Sequence, residues 1–283
     1  MKFRKVKYSF VGIGIVLIIV CGVAVWNILR FGDTNVAFLD VGQGDAILIS
    51  RGSHQILIDG GPDGVVLMEQ LGMQMPFWDR NIEIVIATHP DSDHIDGLVS
   101  VFKNYSVDQF WHTTAGKDTS VYRALNHYAK NENGVEEVIA YKGLSANIGG
   151  GAHLDVIYPL RDDMDDVEDI NNSSIATLLT VGEEVFYFGG DLTSEIEDNL
   201  LLGDEITVLK ASHHGSKSST SDAFLQKTAP RDVIISAGKD NRYGHPHKDT
   251  LQNIENMGAQ VFRTDEQGTI LYRCNNECSI IIR

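Results

Sequence analysis

Basic residues are scarce relative to acids in this sequence, cysteine is rare, and no internal repeat or low-complexity linker interrupts its 283 residues. The 23 Lys and Arg stand against 39 Asp and Glu, for a formal net charge of -16. Residues 1–30 hold five of the basic residues and none of the acids, leaving 18 basic against 39 acidic residues in the remainder. A domain that holds nucleic acid mainly by neutralising phosphates needs a basic face, and this balance supplies none globally. A polyanionic substrate would have to be attracted by bound metal and by local Lys or Arg; by itself the acidity reads as solubility. The three cysteines leave at most one pair outside the N-terminal apolar run, where Cys21 lies. With 43% hydrophobic and 22% charged residues the composition is that of a globular protein, which argues against disorder.

Charge is also missing between Tyr8 and Leu29. The run FVGIGIVLIIVCGVAVW is long and apolar enough to cross ~30 Å of hydrocarbon as a helix. Lys2, Arg4, Lys5 and Lys7 precede it, so the positive-inside tendency predicts a single-pass anchor with a cytoplasmic tip over residues 1–30 and one folded domain, residues 31–283, on the outer face of the cell membrane. A cleaved signal peptide is the alternative, against which stand the length of the run and the lack of an A-x-A-like site after it. A lipoprotein anchored through Cys21 fits less well, because bulky Val20 precedes the cysteine.

Downstream, the runs VAFLDV, AILIS and QILIDGG, separated by Gly and polar residues, read as the start of an antiparallel sheet. From residue 64 the texture changes. GVVLMEQLGM reads as a helix, IEIVIATH as a buried strand, and HIDGLVSVFKNY as a helix beginning where that strand ends. VDQFWHTT, VEEVIAY and AHLDVIYPL are further strands, with SVYRALNHYAKN as a helix among them. The acid-rich RDDMDDVEDINNSS reads as a solvated loop rather than a Ca²⁺ site, since its spacing does not match an EF-hand. Then SIATLLTV, VFYFGGDL, ITVLKASHH and DVIISAG are strands, accompanied by the helices SEIEDNLLL, SDAFLQKT and KDTLQNIENM. TILYRCNNECSIIIR reads as a β-hairpin that sets Cys274 opposite Cys278, either as a disulfide suited to an oxidising compartment or as two free thiols. Two halves that each begin with antiparallel strands and end in strand-helix alternation predict an α/β protein with two sheets face to face and helices outside.

The chemistry concentrates in His89-Pro90-Asp91-Ser92-Asp93-His94, at the junction of a buried strand and a helix. A turn there can direct several side chains to one spot. A plain polar turn with a helix cap would account for Asp93 but not for two histidines and a second carboxylate, so the group points to metal binding. Asp191 ends an aromatic strand in FGGDL; on sequence alone it is a ligand or an N-cap for the following helix. His213 and His214 close ITVLKAS, and if that segment is extended, adjacent side chains point to opposite sides. His214 is then the metal ligand and His213 the acid/base or outer residue. His245 and His247 border the same cleft or lie in a polar surface turn, while His54, His112, His127 and His153 stand outside any cluster.

The hexapeptide resembles the H-x-H-x-D-H signature of the metallo-β-lactamase superfamily, with Asp91 in place of the second His, and that superfamily's αββα sandwich matches the predicted texture. FLDVGQGDAILI, ILIDGG, NNSSI, FGGDL, LKASHHGS and YGHPH together resemble the C-terminal hydrolase domain of ComEC-type DNA-uptake (competence) proteins, over residues 36 to 273. This resemblance implies two divalent metal ions, with His89 and Asp91 serving one, Asp93 and His94 the other, and Asp191 bridging them. Asp59 would support the site from behind, with Asp40 and Asp45 either doing likewise or only forming the Gly42-Gly44 turn. Where the superfamily commonly carries another histidine this chain has Asn171 and Asn172. Carboxylates in place of imidazoles harden the site and shift preference from Zn²⁺ towards Mn²⁺ or weakly held Zn²⁺.

Two such ions would activate water for in-line attack on a phosphoryl group, with His213, Lys210 and His245 as candidates to protonate or neutralise the leaving oxygen. The expectation is a phosphodiesterase acting on DNA at the outer face of the membrane. The multi-helix channel of the family it resembles is missing here, so DNA transport is not expected of this chain by itself; whether a separate channel protein is its partner stays open. The alternatives are a cell-surface phosphorylcholine esterase or other phosphoesterase, which the acidic exterior suits, and a non-catalytic membrane-tethered binding module.

Overall fold

The structure, a computed structural model, describes residues 12–18, 21–22, 32–132, 134–161, 167–203, 205–275 and 277–282. Thr34–Phe38 (β1), Ile47–Arg51 (β2) and His54–Ile58 (β3) form an antiparallel meander. The chain then turns to right-to-edge parallel growth through Gly64–Gln74 (α1), Asn81–Ala87 (β4), Ser92–Asn104 (α2), Ser106–His112 (β5), Ser120–Asn131 (α3) and Glu136–Ile139 (β6). The second half repeats this plan. Ser145–Gly149 (β7), Ala152–Tyr158 (β8), Ala176–Val181 (β9) and Glu184–Phe188 (β10) are antiparallel. Ser194–Glu197 (α4), Val208–Lys210 (β11), Asp222–Thr228 (α5), Asp232–Ile235 (β12), Lys248–Met257 (α6) and Gln260–Arg263 (β13) then continue in parallel. Thr264–Gln267 (α7) leads back to the first sheet, where Ile270–Cys274 (β14) pairs with β1 and Cys278–Ile282 (β15) forms the edge. The result is an eight-stranded sheet facing a seven-stranded one.

Strand alternation explains why the sheets stack. Val36, Phe38, Ile47, Ile49, Ile56 and Ile58 point to one face and meet Val156, Leu179, Phe186, Phe188 and Ile234 of the other sheet. The intervening Ala37, Leu48, Leu57 and Val85 point outward, where Leu67 of α1, Leu98 of α2 and Leu125 of α3 cover them. Tyr187, Leu209 and Val233 are covered by Phe224 and Leu225 of α5 and Ile254 of α6. Strands buried on both faces must read as near-continuous apolar runs, as NIEIVIA in β4 does. This is the predicted αββα arrangement.

Two details differ from or complete the sequence reading. SEIEDNLLL is helical only over Ser194–Glu197, and Thr193 rather than Asp191 occupies its N-cap. Cys274 and Cys278 face each other in register and are joined as a disulfide. Of the expected membrane anchor, residues 12–18 and 21–22 are helical and the rest lies outside the described residues. Among the described residues no helix is long and apolar enough to cross a membrane.

Candidate metal centre

Open α/β sheets leave a crevice beyond the carboxyl ends of their parallel strands. Here β1, β3 and β4 of one sheet and β10, β11 and β12 of the other all end at the same edge of the sandwich, followed in turn by Asp45, Asp59, His89 to His94, Asp191, His213 to His214, and His245. Two glycines permit the close approach. Gly190 has φ +56, and a Cβ there would press on Ser174 and Thr88; a Cβ on Gly44 would collide with the Asp93 carbonyl, so only glycine lets the Asp45 turn lie against the hexapeptide.

The side chains that meet are His89, Asp93, His94, Asp191 and His214, with Asp45 and Asp59 behind them. Four overlapping groups, His89/His94/Asp191, Asp93/His94/His214, Asp45/Asp191/His214 and Asp45/Asp59/His94, each bring one ligand atom per residue to within 4.8 Å of the others. His94 is in three of the groups, and four histidines gather around Asp191. Its carboxylate lies 3.2 Å from His94 Nε2, 3.6 Å from His214 Nε2, 3.8 Å from His213 Nε2 and 3.9 Å from His89 Nε2.

The hydrogen bonds behind these rings fix which nitrogen faces inward. His94 Nδ1 lies 2.8 Å from Asp59 Oδ2 and His214 Nδ1 lies 3.0 Å from the Ser236 carbonyl; both partners only accept, so each Nδ1 carries the proton. Thr88 Oγ1 donates its one hydrogen to Asp59 Oδ2, so its 3.0 Å contact with His89 Nδ1 must run from the ring to the hydroxyl. Nε2 of His89, His94 and His214, all buried, and Oδ1 of Asp191 are left without a hydrogen-bond partner. Outer partners that hold one ring nitrogen and turn the other towards a common point are what metal-binding histidines require. The donor set therefore fits divalent cations, with nitrogen from three rings and oxygen from Asp93 and Asp191.

Charge coupling inside the cluster is strong. Burial alone would raise the Asp191 carboxyl, but His94 and His214 outweigh it and hold it well below the carboxylate range. Burial likewise opposes charging of His214, yet Asp191 and Asp45 raise its pKa to about 9, and Asp191 and Asp59 raise His94 well above its usual value. His89 is pushed down to about 4 by burial and by His94. A cation would compete with the protons on His94 and His214.

Other sequence candidates fall in different places. Asp91 is not in the compact groups: Lys117 Nζ holds its Oδ1 at 2.7 Å. Asp40 accepts from the Gly42 N–H and shapes its turn. The Asn172 amide accepts from Thr193 N and Oγ1, which props the segment after Asp191. Lys210 does not reach the cleft mouth, as a leaving-group partner must; fully buried, it is paired with Asp45 and bonded to the Gly190 carbonyl at 3.3 Å. Asp45, read as a turn former or support, is thereby drawn into the site's charge network, and Lys210 with His214 brings its pKa to about 2 against the effect of burial. The extended backbone expected at His213 and His214 is also absent. Both residues are left-handed, with φ 50 and 56, so both rings reach Asp191. They still differ: His214 is buried, whereas the His213 side chain is 25% exposed and meets His245 with ring centroids 5.5 Å apart. His245 is half-buried with a pKa lowered to about 4 by burial and by His214 and His213. His247 sits behind it and accepts from Lys217 N.

The metallo-beta-lactamase superfamily model matches residues 39–239, from the end of β1 to beyond β12. The chain belongs to that superfamily. Its members are typically hydrolytic metalloenzymes binding divalent metals. ComE operon protein 3 of Bacillus subtilis is 32% identical over 85% of this chain and 33% of its own length, and competence protein ComA of Neisseria gonorrhoeae is 26% identical over 84% and 32%. The chain thus spans about a third of these curated relatives. The metallo-beta-lactamase fold protein YhfI of Bacillus subtilis aligns with a TM-score of 0.58 at 10% identity, covering 85% of this chain and 100% of that one. This likeness extends to the fold alone.

Proposed function

We propose that this chain is a metal-dependent phosphodiesterase acting on DNA at the outer face of the membrane to which residues 1–30 tether it. The observation that carries the reading is the buried set of His89, His94 and His214, each tied at Nδ1 and each turning an unpartnered Nε2 towards Asp191. His89, His94 and Asp191 would hold one divalent ion, and His214, whose Nε2 lies 3.5 Å from Asp93 and 3.6 Å from Asp191, would lead the set for the other. When bound, such ions supply charge neutralisation and water activation. The carboxylate share of the donors favours Mn²⁺ or weakly held Zn²⁺.

The protein's own residues supply the rest. His213 and His245, adjacent, partly open to solvent and with lowered pKa values, are placed as neutral rings to relay a proton from solvent to the leaving oxygen. Asp59 and Ser236 keep the inner rings oriented. Although the domain is acidic overall, Lys117 lies on Asp91, and exposed Lys217, Lys239 and Arg242 follow strands that end at this edge; these are the local cations a phosphodiester needs. Relatives that include a competence protein favour DNA. The excess of acids favours a second reading, a cell-surface phosphorylcholine esterase.

Metal analysis of the purified chain followed by assay on single-stranded DNA, duplex DNA and phosphorylcholine esters, with Mn²⁺ or Zn²⁺, separates these. DNA cleavage is expected. Ester cleavage alone would replace the first reading by the second, and inactivity on every substrate with either metal would leave a tethered binding module.

A further inference from the structure

At the end of the sandwich away from the metal centre, the turn between α1 and β4 exposes two aromatic rings. Phe77 is 81% and Trp78 57% exposed, packed edge to face with centroids 4.9 Å apart, and Met73 beside them is 57% exposed. Adjacent exposed aromatics at a chain turn are costly in water and suited to the lipid-water boundary, where an apolar ring with a polar edge is at home.

The chain path puts this turn near Thr34, where β1 begins. β1 starts at Thr34, which is in register with Arg51 and accepts a hydrogen bond from its Nη1 at 3.1 Å. Beside Arg51, Gln55 Nε2 bonds both the Gly52 carbonyl and Asp79 Oδ2, tying the β2–β3 turn to the residue after Trp78. A pocket on this face is lined by Asn35, Gly52, Gln55 and Met73 to Pro76. Leu29, the last residue of the uncharged run, precedes Thr34 by five peptide units, which span at most about 17 Å in any conformation.

We propose that Phe77 and Trp78, with Met73 behind them, form a foot that rests in the headgroup region of the bilayer to which residues 1–30 tether the chain. This rests on the anchor named under the proposed function. The charges on this face are mixed, with Arg51, Arg80 and Arg273 among Asp33, Asp79, Glu83 and Asp108, so the contact draws on ring burial rather than on anionic lipid. Tethering makes a weak contact sufficient, because the rings are already at millimolar effective concentration near the surface. β4 runs from this foot to His89, and its seven residues span about 23 Å. With the foot down, the metal centre opens away from the lipid, towards polymers arriving from outside rather than towards lipid headgroups.

The test uses the full chain carrying Trp26→Phe, which leaves Trp78 and the fully buried Trp111, in phosphatidylcholine vesicles with plain or brominated acyl chains. Bromine should quench most of the Trp78 share of the emission, at low and high salt alike, and adding Trp78→Phe should abolish that loss. Phe77→Ser should reduce it. Equal emission in both lipids with quenching by aqueous iodide would overturn the foot, as would shielding from both quenchers, which would mean a protein on this face. Release of the chain by alkaline carbonate would remove the anchor, and the foot with it, whereas carbonate resistance without bromine quenching would remove the foot alone.

Discussion

In the first half of the sandwich His89 from just past the end of β4 and Asp93 and His94 from the first turn of α2 come from one β4–α2 junction, whereas in the second half Asp191 follows β10, His213 and His214 follow β11, and His245 lies beyond β12. The first set is placed by local backbone. The second is placed by parallel register, which aligns Phe188 with Lys210 and Lys210 with Ile234, so that the three strands end level. Each carrier in the second half is braced from outside its own segment: His213 N donates to the Gly190 carbonyl, Asn172 holds Thr193, and Ser212 Oγ donates to Glu197. A compact local set tolerates distant change, whereas a dispersed one depends on its braces.

Asp191 is where the halves meet, since its carboxylate approaches His89 and His94 from one and His213 and His214 from the other. Asp191→Ala should therefore lose most bound metal and turnover, well beyond the roughly 10–100-fold cost of losing an outer partner. Full metal content and rate in that variant would mean the halves are joined elsewhere.

His214 and His213 test whether neighbours in one turn divide the work. His214→Ala, which removes a buried ring held by Ser236, should lower metal occupancy. His213→Ala should keep the metal and slow turnover by something on the order of 10² to 10⁴. Metal stoichiometry measured beside kcat decides the point, and an emptied site in His213→Ala alone would reverse the roles.

Asp59→Asn probes the first half through its brace. Asp59 accepts from Thr88 N and Oγ1 and from His94 Nδ1, so the amide would face a donor with a donor at one of these contacts and loosen the His94 ring. A 10–100-fold loss of metal affinity is expected, the range for outer partners of ligating histidines. Unchanged affinity by metal titration would show that the local turn alone orients the ring.

The same contrast explains what could be read from the sequence. The layer order and the two-half plan follow from periodicity, and the structure has both; of the hexapeptide, whose candidate ligands lie close together in the chain, His89, Asp93 and His94 face the cluster while Asp91 turns to Lys117. Asp45 carried no such signal, because what makes it part of the site is Lys210, a partner 165 residues away and fully buried. The mistaken assumption at His213 and His214 has a physical cause too: a strand ending in two polar residues reads as extended, while the turn that brings both rings to Asp191 needs two consecutive left-handed residues, which L side chains seldom adopt. Such strain is held by tertiary contacts, and tertiary contacts are what a single sequence hides.

Glu197 is the brace behind that strained turn, and it makes the smallest prediction for activity. Fully buried, it accepts from Ser212 Oγ and Tyr187 OH on one oxygen and from Thr220 N on the other, which clamps both ends of the segment carrying the two histidines. Burial outweighs these bonds and raises its pKa from 4.5 to about 7. A carboxyl raised on folding binds its proton more tightly in the folded chain, so its favourable contribution is complete below pH 4.5 and is lost as pH rises through about 7. At 1.36 kcal/mol per unit this amounts to about 3 kcal/mol, which reflects the cost of burying the charge after the three hydrogen bonds have offset part of it. Glu197→Gln cannot ionise and sets an N–H against one of the three donors, so it should carry a constant penalty but lack the decline between pH 4.5 and 7. Denaturant unfolding of both proteins across that window reads the slope difference directly, cancelling the groups they share. Parallel curves would mean that Glu197 titrates alike folded and unfolded, and that burial does not disfavour its charge.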